Sequence, residues 1–138
     1  MNDDNQNYTW PDDYPEDIPE SCDVKPAEGK VYRLVRTVPP TAIDFQRHRD
    51  EKPNYIYRNS DDKAKSWGIS LWSKLAKIKR VAKNYPFPEQ YGSWHTVCGN
   101  LCSELGVIPT EASKDGHVTL WVQAGAEPHN HIKDEVKS

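Results

Sequence analysis

A chain of 138 residues with 36% hydrophobic and 28% charged side chains and a mean hydropathy of -0.91 has room for one domain and not for two. No apolar run approaches the roughly 18 residues of a membrane span, and residues 1–6 (MNDDNQ) lack the basic and apolar regions of a secretory signal, so a cytoplasmic protein without a membrane partner is expected. Three cysteines in such a chain point to reduced thiols rather than to a disulfide framework.

The net charge of -3 hides an asymmetry. Residues 1–28 hold nine acidic side chains against one basic residue, Lys25, and carry -8; the rest of the chain carries +5. Pro11, Pro15, Pro19 and Pro26 exclude a helix or central strand from this acidic segment, while Tyr8, Trp10, Tyr14 and Ile18 break its polarity. It reads as an arm of residues 1–28, either strapped onto its own domain or free to order on a partner. A globular domain over 29–126 and a polar tail over 127–138 complete the expected organisation.

In chain order, residues 31–35 (VYRLV) carry β-branched and aromatic side chains on both faces, as a buried strand does, with Arg33 in its middle. Pro39 and Pro40 end it, and Thr41 with Asp44 three residues later resembles a capping box that opens a short helix through Phe45 and His48. Residues 49–65 show no sustained period and read as a loop around a short extension at 55–57. Residues 67–72 (WGISLW) read as a strand, and Ser73 caps a helix over 73–84 whose apolar stripe is Leu75, Ile78, Val81 and Ala82. Lys74, Lys77, Lys79, Arg80 and Lys83 cover its remainder. Strands are expected again at 94–101 and 117–122 (HVTLWV), the latter after a turn at Gly116. The pattern predicts an α+β domain: a central twisted, mainly antiparallel sheet with one basic helix packed on it and an extended Pro-rich acidic N-terminal arm.

The segments VYRLVRTVPPTAIDF (31–45), WGISLW (67–72) and GHVTLW (116–121), together with IPESC (18–22), resemble a recurring pattern of small uncharacterised bacterial proteins, over about two thirds of the chain. The chain departs from that pattern at Lys65 and Ser66, where a cysteine often precedes the glycine, and the resemblance brings no activity with it. A looser likeness is to small ADP-ribosyltransferase-like domains, and it implies an NAD-binding cleft built from Arg33, Ser70 and His117. In such a cleft an arginine fork would hold the pyrophosphate or ribose. Glu104 and Glu111 are then the available carboxylates for a developing oxocarbenium charge, though neither sits in a motif.

Each candidate has a plainer role beside its chemical one. Arg33 suits a structural ion pair, His117 a hydrogen-bonded strand histidine, and Ser70 has no G-x-S-x-G elbow around it. His95, Cys98 and Cys102 lack the spacing of a zinc knuckle, and strand alternation separates His95 from Cys98, so buried thiols and no metal are expected. With the tryptophans read as core, nucleic acid is an unlikely partner for a body of only +5. The leading expectation is a non-catalytic binding protein of the accessory or immunity kind found in bacterial conflict and defence loci. It would act through protein–protein contacts, need no cofactor, and use Tyr8, Trp10 and Tyr14 of the arm and Lys74, Lys77 and Arg80 of the helix. The alternatives are an ADP-ribosyltransferase-like enzyme or NAD-binding domain using Arg33, Ser70 and His117, and then a nucleic-acid-binding module.

Overall fold

The computed structural model describes residues 8–19, 22–83 and 95–136, with the backbone alone over 81–83. Among these residues seven strands form one antiparallel sheet: β1 (Val24–Pro26), β2 (Gly29–Val35), β3 (Ile69–Trp72), β4 (His95–Leu101), β5 (Gly106–Pro109), β6 (His117–Val122) and β7 (Ile132–Glu135). Their order is β1-β5-β6-β3-β2-β4-β7. Only Ala27 and Glu28 separate the edge strand β1 from the interior strand β2, so the sheet must curl to bring its β1 end back towards β2. Helices are short: α1 (His48–Glu51), α2 (Ser60–Lys65) and α3 (Leu75–Lys83). This is a mixture of antiparallel sheet and a few helices, as an α+β composition requires. Among the described residues no helix is long and apolar enough to cross a membrane.

Strand register sorts the side chains into two layers. The rows Val31–Arg33–Val35, Ile69–Leu71 and Val97–Gly99–Leu101 face one way and join Leu105, Ile108, Leu120 and Ile132 in an aliphatic core. The opposite face carries a smaller cluster of Ile18, Ala64, Val107 and Trp121, with Tyr8, Trp10, Tyr14 and Trp67 packed against it. Trp121 is 1% exposed, and its indole N–H donates to the Ala64 carbonyl at 3.0 Å, which fastens α2 to β6. Gly106 opens β5 at φ +144°, where a Cβ would stand 1.9 Å from the Trp121 carbonyl oxygen; only glycine permits this close approach of β5 to β6.

The sheet reaches into segments that the sequence assigns to the arm and the tail. β1 lies within residues 1–28 and pairs with β5, Val24 opposite Pro109, while β7 lies within 127–138 and pairs with β4. Neither has a strand's usual signature. β1 has three residues and ends in proline, and β7 (IKDE) buries only Ile132, as an outer strand can. β5 has four residues and also ends in proline, Pro109. Residues 55–57 form no strand; the polar stretch instead holds α1 and α2, the latter capped by Asn59, whose side chain accepts from the Asp62 N–H at 2.7 Å. The Thr41 box forms only a 3-10 turn over Ala42–Phe45, with the Asp44 carboxylate accepting from the Thr41 N–H. α3 begins two residues after Ser73, whose hydroxyl donates to the Gly116 carbonyl. Ile78 of its stripe is buried and Leu75 half-buried, while the side chains of Val81 and Ala82, like Trp94, lie outside the described residues.

Candidate binding groove

Arg33 stands on the aliphatic face of β2, opposite Val97 in the register, and is 7% exposed. An isolated charge there would cost several kcal/mol, roughly the desolvation of one ion, and the surrounding groups remove that cost. Its Nε donates to the Asp44 carbonyl and its Nη1 to the Ser70 carbonyl, both at 2.7 Å; its Nη2 lies 3.6 Å from Glu51 Oε1, and the guanidinium sits over the Phe45 ring. Burial pulls its pKa down, and Glu51 and Asp44 oppose the pull. Asp44 is buried too. Burial would raise its pKa, but the N–H groups of Arg36 and Thr41 and the Thr37 hydroxyl donate to its carboxylate and hold it below the usual carboxylate value.

Ser70 and His117 belong to the other face. Ser70 pairs with Thr119 and Trp72 with His117, so these four side chains project together. His117 Nε2 is 3.1 Å from Ser70 Oγ, and the Trp72 ring meets the imidazole edge-on at 5.1 Å between centroids. The His117 N–H donates to Asp115 at 3.1 Å, and the Ser113 hydroxyl donates to the same carboxylate. Burial pushes the His117 pKa below its ordinary value, Asp115 working weakly against it, so the imidazole is neutral at pH 7. A neutral imidazole beside a hydroxyl can accept its proton. Arg33, however, touches Ser70 only through the main-chain carbonyl, from the opposite side of the sheet. The structure therefore brings Ser70 to His117 and leaves Arg33 out of their cleft.

His117, not Arg33 or Ser70, lines a groove of about 1040 Å³. Buried Val31, Ile108, Thr119 and Trp121 contribute to its lining, and charged residues of the 17–30 segment, α2 and the 109–113 loop surround them. Two of its cations are neutralised within it, Lys25 by Glu28 at 2.8 Å and Lys65 by Asp61 at 3.2 Å. Among the described residues Asp17, Asp23 and Glu111 are then left with Lys30, and the described lining has an acidic excess. Of these acids the sequence singles out only Glu111, as an available carboxylate outside any motif. Asp17 and Asp23 are two of nine acids in the arm, and Glu111 follows a strand too short to show a period.

The partner candidates of the arm are engaged with their own chain. Tyr8, Trp10 and Tyr14 stack in a ladder with centroids 5.3 and 5.8 Å apart, Tyr14 meets Trp67 at 5.7 Å, and its hydroxyl donates to the Trp67 carbonyl. Asp13 pairs with Arg47 at 2.8 Å, rather than with α3. Lys74, just before α3, and Arg80 on it are exposed and Lys77 is half-buried, and none has a carboxylate within salt-bridge distance among the described residues. Lys74 reaches the Lys114 carbonyl at 3.2 Å. His95 pairs with Glu135, Cys102 Sγ lies 3.9 Å from His131 Nδ1, and among the described residues no group of three or more His, Cys, Asp or Glu is placed to hold a metal ion. Comparison with known proteins adds no identity: no family model, no curated protein and no solved structure matches the chain.

Proposed function

We propose that this protein is a non-catalytic binding protein that receives an extended segment of a protein partner in the groove beside His117. The observation that carries the reading is the groove itself. Its volume of about 1040 Å³ lies at the upper end of the roughly 300–1,000 Å³ typical of small-molecule sites. Its buried apolar lining can desolvate side chains while its charged rim selects among them. Masking a partner in this way suits an accessory or immunity role in a bacterial conflict or defence locus. Catalysis through Arg33, Ser70 and His117 has weaker support, because the Arg33 guanidinium is occupied by two main-chain carbonyls, Glu51 and Phe45.

A display library of random decapeptides selected on the full chain tests the reading. Enriched peptides are expected to bind at micromolar affinity and to weaken at least tenfold when the exposed rim residue Ala112 is replaced by arginine, with no change for Lys133→Ala on β7. Thermal unfolding with NAD runs alongside. A midpoint that rises with NAD and loses the rise in His117→Ala, with no peptide sensitive to Ala112→Arg, would replace the binding reading with the nucleotide one.

A further inference from the structure

Within the groove lies an unfinished strand pairing. β2 pairs with β4 over all seven of its residues, Gly29 opposite Leu101 through Val35 opposite His95. On its other edge it meets β3 at one position only, Tyr32 opposite Trp72. The reason is local. The next residue, Ser73, turns its N–H to the Gly116 carbonyl at 2.7 Å and its hydroxyl to the same oxygen, so it does not extend the ladder with β2, although α3, which follows, also packs near β2. Residues 29–31 therefore have no strand beside them on that edge among the described residues, and all three line the groove. Alternate residues of a strand turn their N–H and C=O to the same side, so this edge presents unpaired main-chain groups to the cavity. Over the sheet face at its start there is free space, since a Cβ placed on Gly29 would meet nothing within 4 Å.

Building on the groove reading, we propose that β2 at residues 29–31 is a strand-addition site, and that the occupant is an extended partner segment with basic side chains. Main-chain hydrogen bonds to β2 would supply register, as in other cases where a peptide extends an exposed sheet edge. Side chains on one face of that segment would meet Val31, Ile108 and Val118; those reaching the rim would meet Asp17, Asp23 and Glu111, whose charge Lys30 offsets only in part. Asp17 and Glu111 have no cation within 4.0 Å among the described residues, so a lysine or arginine of the partner has a carboxylate available without displacing an existing ion pair.

The test uses the decapeptides selected on the full chain, remade with single N-methyl groups along the backbone. Strand addition predicts an alternating profile in which methylation of every second residue weakens binding at least tenfold and of the residues between hardly at all. It also predicts slowed amide exchange within residues 29–31 when peptide is bound, enrichment of lysine or arginine in the selected sequences, and a loss of about tenfold in Asp17→Asn/Glu111→Gln. Peptides that bind and respond to Ala112→Arg, but tolerate methylation at every position and leave exchange at 29–31 unchanged, would overturn strand addition while the groove reading stands. Failure to enrich any groove-directed peptide overturns both. Concentration-dependent dimerisation that protects residues 29–31 would instead make a second copy of this chain the occupant and overturn the partner assignment.

Discussion

The two faces of the sheet solve the same burial problem with different side chains. One is aliphatic, with Arg33 as the single buried cation among the described residues, caged by carbonyls and a carboxylate, and it reaches the groove only through Val31, Ile108 and Val118. The other is aromatic and hydroxylic, with Trp121, Thr119, Ser70 and His117, and its margin opens into the groove. A charge buried within the aliphatic face must be satisfied by the protein itself, whereas polar groups that border the groove can take some of their partners from a ligand or water. Arg33 thus stabilises the fold, and His117 stands at the groove.

The contrast can be broken most forcefully at the seam. Trp121→Ala removes the largest fully buried side chain and the bond to α2, and should destabilise the protein by about 4 kcal/mol in urea unfolding. Arg33→Ala strands the Asp44 and Ser70 carbonyls and should cost about 3 kcal/mol. Arg33→Lys should recover little of that, because one ammonium lacks the fork that reaches both carbonyls. His117→Ala, by comparison, should lower stability by no more than about 1 kcal/mol, the worth of one ordinary hydrogen bond. Equal costs for Arg33→Ala and His117→Ala would erase the distinction between the faces. Trp10→Ala, which removes the middle ring of the ladder, should cost about 1–2 kcal/mol by calorimetry.

The smallest effect is in pH. His117 and His48 both have pKa values below the ordinary histidine value in the folded protein, burial being the chief cause in each. Below about pH 6.5 the unfolded chain then binds more protons than the folded one, so stability falls as pH drops through this range and is recovered on raising it. His117→Gln should flatten that part of the stability profile and leave the His48 share. A profile unchanged by the substitution would mean that water reaches His117 as freely as it reaches an exposed histidine.

Long, patterned elements were legible in the sequence. VYRLV and HVTLWV read as strands because their apolar content is high enough to survive burial on both sides, and β6 spans His117–Val122 as expected. The apolar stripe within 73–84 likewise reads as a helix, and α3 spans Leu75–Lys83. β1, β5 and β7 were not legible, because three or four residues held mainly by main-chain pairing need no periodic side chains. The candidate site divides along the same line. Arg33, Ser70 and His117 are visible as polar residues within apolar strands, but which face each occupies depends on register, and register is set by partners distant in sequence. The groove arises between such partners, so no local motif announces it.

The order of the strands has a kinetic consequence as well. Apart from β5 and β6, every pair joins segments far apart in the chain, and β1 waits for residues 107–109 before it has a neighbour. Each such closure spends chain entropy before contacts repay it, which places the protein among the slow folders, in the range of milliseconds to seconds or longer. During synthesis the acidic first 28 residues emerge long before β5 exists. Their high charge and four prolines keep the waiting segment soluble and unsuited to premature pairing. The composition that disguises β1 as a simple tail is thus also what protects it until its partner strand has been made.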